Sequence, residues 1–113
     1  MSRDDASILD IARAARLIVQ FKQGMDEAAF LTDVKTQSAI LHQFMVIGEA
    51  VKRLSPTLRD NHPSVPWRLI AGMRDKLIHG YDSVDLSEVW RTAERDIPDL
   101  LSAIEPLLPS EES

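Results

Sequence analysis

The sequence contains no cysteine among its 113 residues. This absence excludes disulfide bonds, thiolate metal ligands and cysteine nucleophiles, and it fits a reducing compartment. Aromatic residues are also scarce, at 5%, so aliphatic side chains must fill most of the core. The length is that of one domain, and we therefore interpret residues 1–113 as a single domain whose last five residues, Pro109 to Ser113, form a polar tail.

Long apolar runs are missing as well. No stretch approaches the roughly 20 apolar residues that span a bilayer. The chain starts with Asp4 and Asp5 in the region where a signal peptide needs basic residues followed by an apolar stretch. We therefore expect a cytoplasmic protein with no membrane partner.

The net charge is −5, and it is unevenly distributed. Residues 1–51 carry −2, residues 52–76 carry +4 and residues 77–113 carry −7. An acidic chain is a poor general binder of nucleic acid, but its basic middle segment allows a local phosphate site. The simpler interpretation of these charges is a set of solvated helix faces.

Apolar residues recur at spacings of three and four in four segments, which indicates four amphipathic helices. The first is predicted from Asp4 to Gln23, capped by Asp4 or Asp5 and stopped at Gly24. After a helical turn near residues 26–31, the second is predicted from Thr32 or Asp33 to about residue 54. It contains Gly48 in mid-helix, at a cost of up to ~1 kcal/mol relative to alanine; a close helix–helix contact or simple tolerance would explain it.

Residues 55–66 contain three prolines, which predict a break there rather than a long regular helix. The third helix is predicted from about Pro66 to the terminator Gly80. The fourth begins at residues 85–88, which have the form of a capping box, and reaches residue 104 with a kink at Pro98. The apolar stripes include Val19, Val34 and Ile78, which we expect to be buried, and Trp67 and Trp90 are expected in the core or at a dimer contact. No segment alternates like a strand, so the predicted fold class is all-α, a four-helix bundle-like domain.

Histidine is the side chain best suited to move a proton at neutral pH. His42 and His62 have no partner at the spacing of metal ligands, so we expect no metal site and interpret both as structural or surface residues. His79 lies five residues after Arg74, which on an uninterrupted helix is a rotation of about 140°. A helix end at Gly80 or a second copy of the chain would bring the two side chains together.

An arginine and a histidine are enough for one metal-free reaction. Arginine can hold a phosphodiester in two hydrogen bonds, and histidine can take or give a proton. The 2′-hydroxyl of RNA then attacks its own phosphate, so no protein nucleophile is needed. On chemistry alone a histidine that caps a helix C-terminus is the simpler interpretation.

Several segments carry a family resemblance. Residues 74–81 (Arg74-Asp-Lys-Leu-Ile-His79-Gly-Tyr81) match the Arg-x4-His-x-Tyr motif of HepT-like proteins, a branch of the HEPN superfamily. Residues 47–54 resemble the Gly-Glu-Ala helix of that family, and residues 65–74 resemble its Pro-Trp segment. Residues 84–90 and 96–100 resemble its last helix. The segments occur in the right order from about residue 8 to residue 105.

The resemblance implies a HEPN-type homodimer in which two motifs line a shared groove. It implies metal-independent RNA cleavage with no cofactor and with Arg74 and His79 as the catalytic pair. It also implies a toxin–antitoxin system, in which an MntA-like minimal nucleotidyltransferase transfers AMP to a tyrosine near the motif and blocks the toxin. Tyr81 is the only tyrosine in this chain and is therefore the candidate AMP acceptor.

Four residues, two inside the motif and two on the second predicted helix, are candidates for RNA binding or for support of the catalytic pair. Asp75 would orient His79 or reduce the local positive charge, unless it is simply an exposed helix acid. Lys76 would contact the RNA backbone. Glu49 and Arg53 are four apart on a helix, which favours a surface ion pair, and the resemblance makes Glu49 a groove candidate as well.

Two other functions are compatible with the sequence. The chain could be a non-catalytic helical partner of a nucleotidyltransferase, with the motif serving as docking surface and AMP acceptor. It could also be a helical dimer whose basic middle segment binds nucleotides or nucleic acid without turnover, with binding that weakens in salt.

Overall fold

The computed structural model describes residues 2–80 and 84–109, except for the side chains of residues 69 and 79. All regular structure in these ranges is helical, which confirms the predicted all-α class. The elements in chain order are α1 (Arg3–Phe21), α2 (Glu27–Thr32), α3 (Val34–Arg53), α4 (Pro56–Asn61), α5 (Trp67–His79), α6 (Leu86–Arg91), a π-helical turn (Thr92–Asp96), α7 (Ile97–Ile104) and a 3-10 turn (Glu105–Leu107).

The start of α1 is capped by Ser2, so the predicted cap at Asp4 or Asp5 is wrong. Ser2 Oγ accepts from the Asp5 amide at 3.0 Å, and the Asp5 carboxylate accepts from the Ser2 amide at 3.3 Å, which completes a capping box. Asp4 is used elsewhere: its carboxylate accepts from the amide and hydroxyl of Ser55 at 2.9 and 2.6 Å. These bonds join the start of α1 to the start of α4.

The next two helices begin as their sequences predict. Asp26 accepts from the Ala29 amide at 2.9 Å and caps α2. Asp33, one of the two candidates, accepts from the Thr36 amide at 3.1 Å and caps α3. Gly24 adopts φ +78° in the turn between α1 and α2, a conformation that glycine reaches without strain.

The proline-rich break contains the short helix α4, which is too short to be recognised from the spacing of its apolar residues. Ser55 accepts from the Leu58 amide at 3.2 Å, and Pro56 lies in the first turn, where its missing N–H costs nothing. The indole of Trp67 donates to the His62 carbonyl at 3.0 Å and fixes the loop that leads into α5.

The core lies between α1, α3 and the α6–α7 segment, while α5 packs chiefly against α3. Trp90 packs against Phe30 with ring centroids 5.4 Å apart, and Trp67 is also buried, so both tryptophans are core residues. The largest fully buried side chains are those of Phe30, Ile8, Ile11, Ile18, Ile40, Ile47, Leu100, Ile104, Val51 and Val89.

Three expected core residues are instead exposed: Val19 by 39%, Val34 by 70% and Ile78 by 48%. Val34 is the first residue of α3, where no neighbouring helix covers it. After Trp67, the described buried positions on α5 are Met73 and Leu77, so the face that meets the core there is rotated relative to the predicted stripe.

The segment from α6 to α7 continues through Pro98 without a stop. The irregularity lies just before the proline, where the Ile97 amide bonds to the Thr92 carbonyl in a π-helical turn. This turn keeps the apolar face in phase, since Ala93, Ile97 and Leu100 are all buried. The expected distortion is therefore displaced to residues 92–96.

Candidate functional site

The site is built where α5 crosses α3 at Gly48. A Cβ atom on this glycine would lie 2.9 Å from Cγ and 3.4 Å from Cα of Arg74, with the Arg74 Cβ closer still. The bare backbone of α3 therefore makes room for the stem of Arg74. This is the close helix–helix contact that would explain a glycine in mid-helix, and it fixes where the arginine leaves α5.

Two carboxylates hold the Arg74 guanidinium, whose side chain is 25% exposed. Nη2 lies 2.9 Å from Oε2 of Glu49, and Nη1 lies 3.3 Å from Oδ1 of Asp75. The expected ion pair between Glu49 and Arg53 is wrong, because Gly48 brings α5 close enough for Glu49 to reach Arg74 instead. The guanidinium is thus oriented at the surface with part of its edge in contact with solvent.

Asp75 links a second cation to this pair. Its Oδ1 also accepts from Nζ of Lys52 at 2.6 Å. The hydrogen bond from Lys52 is the main cause of the lowered pKa of Asp75. Desolvation opposes this effect, and the bond from Arg74 lowers the pKa further. Asp75 therefore lies as a half-exposed carboxylate between two cations.

Sequence reasoning missed Lys52. The residue lies one helical turn after Gly48 on α3, so it shares the face that meets α5. That spacing is visible in the sequence, but its meaning depends on knowing that Gly48 marks the crossing point.

His79 is the last residue of α5, and the helix continues without interruption from Arg74 to it. The Gly80 amide donates to the Lys76 carbonyl at 3.0 Å, and Gly80 is the C-cap. Positions 74 and 79 are therefore separated by about 140° around one helix axis. Tyr81 lies outside the described residues.

Lys76 connects α5 to α6. Its Nζ lies 3.4 Å from Oε1 of Glu88, with both side chains largely exposed. Glu88 is three residues after Asp85, which caps α6 through the Ser87 and Glu88 amides at 3.0 and 3.3 Å. A cavity of about 400 Å³ lies beside this pair, lined by Met73, Lys76, Gly80, Val84, Asp85, Glu88 and Val89.

The remaining candidates lie apart from these contacts. Arg53 is exposed at the end of α3, and His42 is exposed on the same helix. Within residues 2–80 and 84–109 no group of three or more His, Asp or Glu residues is placed to hold a metal ion. None of the helices described there combines the length and apolar character needed to cross a membrane.

Comparison with known proteins gives matches over nearly the whole chain. A family model described as ribonuclease HepT-like matches residues 11–107. The chain is 44% identical over 98 residues to the probable ribonuclease HepT of Thermococcus cleftensis, covering 87% of this chain and 89% of that protein. It is 37% identical over 103 residues to a protein of Methanocaldococcus jannaschii named as a candidate RNase, covering 91% and 89%. A similarly named protein of Caldanaerobacter subterraneus subsp. tengcongensis is 36% identical over 101 residues, covering 89% and 90%. No solved structure matches significantly.

Proposed function

This chain belongs to the ribonuclease HepT-like family, and from that membership we propose that two copies of it cleave RNA without a metal ion, with Arg74 and His79 as catalytic residues. Membership confirms the family that the sequence motifs resemble. The observation that carries the proposal is the Arg74 guanidinium, which Gly48, Glu49 and Asp75 hold in a defined, partly exposed position.

The proposed reaction needs only groups that the chain and its substrate contain. Arg74 binds the non-bridging oxygens of the phosphodiester and stabilises the charge that develops on them. The His79 imidazole accepts the proton of the ribose 2′-hydroxyl while that oxygen attacks phosphorus. The bond from phosphorus to the 5′-oxygen breaks, and the leaving oxygen takes a proton from a second His79 or from water. The products are a 2′,3′-cyclic phosphate and a 5′-hydroxyl.

The helical backbone supports the homodimer in this proposal. Because α5 is continuous to His79, the two catalytic positions face different directions on one copy. Ile78, which is 48% exposed, lies one turn after Arg74 on nearly the same face. A two-fold contact between two α5 helices would cover Ile78 and bring the Arg74 of one copy toward the His79 of the other.

The contacts of Arg74 also suggest how substrate enters. The Asp75 carboxylate occupies the space between Arg74 and Lys52 that a phosphate oxygen would fill. RNA would displace Asp75 from Arg74, while Glu49 keeps hold of the other edge of the guanidinium. Glu49 is therefore proposed as a positioning residue, and Lys76 and Arg53 as contacts to the RNA backbone.

The proposal includes an antitoxin of the MntA-like nucleotidyltransferase type, acting in the cytoplasm. Its reaction would join the Tyr81 oxygen to the α-phosphorus of ATP, break the bond to the β-phosphate and release pyrophosphate, with the phenolic proton passing to solvent. Tyr81 follows His79 by two residues in the chain, so the attached phosphate would compete with RNA for the cations of the motif.

The test is cleavage of RNA by the purified, unmodified full chain in EDTA, beside His79→Ala and Arg74→Ala. Mass spectrometry confirms that Tyr81 carries no AMP. We expect cleavage by the wild type alone, with circular dichroism showing that both variants fold. RNA that stays intact with the wild type would overturn the proposal. Growth inhibition by His79→Ala equal to that of the wild type would favour the non-catalytic partner.

A further inference from the structure

An open groove lies at the end of α3, next to the starts of α1 and α4. Its volume is about 540 Å³, and it is lined by four basic side chains, those of Arg3, Lys52, Arg53 and Arg59. None of these residues lies in the Arg-His motif, and the packing of α1 and α4 around the end of α3 brings Arg3 and Arg59 beside Lys52 and Arg53.

The groove has little acid to balance these cations. Asp4 is the only carboxylate in its lining, and it accepts two hydrogen bonds from Ser55, whose hydroxyl and amide lower the pKa of Asp4. Among the described residues, Arg3, Arg53 and Arg59 make no salt bridge. Arg3 also interacts electrostatically with Asp4, as the weakest of the causes that lower its pKa, and the four cations outnumber this one carboxylate in the groove.

Lys52 connects the groove to the site. It lines the groove and also donates to the same Asp75 oxygen that Arg74 contacts. A phosphate bound between Lys52 and Arg74 would thus lie at the mouth of the groove. Lys52 thus places the cations of the groove beside Arg74, and several cations in one groove suit the repeated negative charge of a nucleic-acid strand better than a single anion.

We propose that this groove binds the sugar-phosphate backbone of the RNA beside the scissile phosphate, with Arg3, Arg53 and Arg59 contacting successive phosphates and Lys52 joining them to Arg74. The inference rests on the proposed function, and it extends the substrate site from one phosphodiester to a segment of single strand. Because phosphate contacts carry no base information, the groove would add affinity without sequence preference.

The test uses a short fluorescein-labelled single strand of 2′-O-methyl RNA, which lacks the attacking hydroxyl and therefore reports binding alone. Anisotropy gives the Kd of the wild type and of Arg3→Gln/Arg53→Gln/Arg59→Gln over a series of salt concentrations. We expect the triple variant to bind on the order of tenfold more weakly. The slope of log K against log salt should fall by ~0.7 per lost contact, roughly 2 in all.

The matched control is Arg13→Gln/Arg16→Gln/Arg95→Gln, which removes three exposed arginines outside the groove. Its net charge equals that of the triple groove variant. Its Kd and salt slope should stay close to those of the wild type. Since Arg59 is partly buried, Arg3→Gln/Arg53→Gln, both exposed, serves if the triple variant unfolds. Equal effects in groove and control variants, or no effect in the groove variants, would overturn the inference.

Cleavage assays separate this inference from the proposed function. Loss of affinity in the groove variants, together with no cleavage by the wild type, would retain the groove and reject the ribonuclease mechanism. Cleavage by the wild type with unchanged KM in the groove variants would retain the mechanism at Arg74 and His79 and reject the groove, together with the proposed RNA contact of Arg53. If the groove is correct, the KM for a cleavable strand should rise about tenfold while kcat stays near that of the wild type.

Discussion

Gly48 and Arg74 are in direct contact, with the stem of the arginine lying against bare helix backbone where α5 crosses α3. This contact decides which residues can reach the guanidinium. Glu49 is the next residue on α3, and Asp75 is the next residue on α5, and both contact Arg74. One glycine therefore fixes the position of the arginine on which the proposed chemistry depends.

Gly48→Ala should damage both the fold and the activity. The new methyl group would meet the Cβ and Cγ of Arg74, atoms near the backbone that cannot move aside cheaply. We expect a loss of roughly 1–3 kcal/mol in the free energy of unfolding, from urea titration. RNA cleavage should fall about a hundredfold, because small misplacements of a catalytic group cost that much.

Gly72 provides the matched control, since it is also helical and, apart from its chain neighbours and the backbone of its own helix, no described atom lies within 4 Å of the position that a Cβ would occupy there. Gly72→Ala should stabilise the chain by about 0.5–1 kcal/mol through helix propensity, with cleavage unchanged. A Gly48→Ala variant that gains stability in the same way would show that the contact is not restrictive.

Asp75→Asn should distinguish the two roles considered for this residue. If Asp75 competes with the RNA phosphate for Arg74 and Lys52, removing its charge should lower KM several-fold with kcat nearly unchanged, as steady-state kinetics would show. A large fall in kcat with little change in KM would instead indicate that Asp75 orients His79. Circular dichroism provides the check on folding.

Asp4 should make stability depend on pH at acidic values. The hydrogen bonds from Ser55 lower its folded-state pKa below the ordinary value of 3.8. Because the pKa of Asp4 is lower in the folded than in the unfolded protein, its ionisation increases the free energy of unfolding at pH values above about 5. This increase is lost as the pH falls through the folded-state pKa. Urea titrations between neutral and strongly acidic pH should show this loss in the wild type.

Asp4→Asn should have a smaller loss of stability on acidification than the wild type, because the titrating group is gone. Ser55→Ala removes the hydroxyl donor and keeps the amide, so its pH dependence should lie between the two. Wild type and Asp4→Asn curves that stay parallel would contradict the linkage of Asp4 to folding.

Much of the helical layout follows from sequence periodicity, since buried apolar residues such as Ile11 on α1 and Phe44 on α3 each belong to a set that recurs on one face of its own helix. The α1 cap does not follow from it, because Ser2 pairs with an aspartate at the position where a capping box usually has Glu or Gln. The helix α4 does not follow either, because six residues give too few turns for a period to be recognised.

The catalytic candidates could be predicted from the motif, but their surroundings could not. Lys52 and Glu49 reach the site only because α5 crosses α3 at Gly48, and a crossing point is a tertiary property that helical periodicity does not contain. The apolar spacing places Ile78 in the core, whereas the packing of α5 buries Leu77 instead. The difference identifies Ile78 as an exposed apolar side chain within the motif.

Ile78→Lys should convert the proposed dimer into a monomer. If two α5 helices meet at this position, the lysine ammonium group would be buried without a partner. The free energy of this burial would exceed what a small interface contributes to association. Sedimentation velocity should show the shift, and RNA cleavage should be lost with it, because Arg74 and His79 lie about 140° apart on one copy. Val34→Lys is the control, since Val34 is 70% exposed at the start of α3. A monomeric Ile78→Lys variant that still cleaves RNA would mean that each copy carries a complete site, with the His79 side chain reaching Arg74 within one chain.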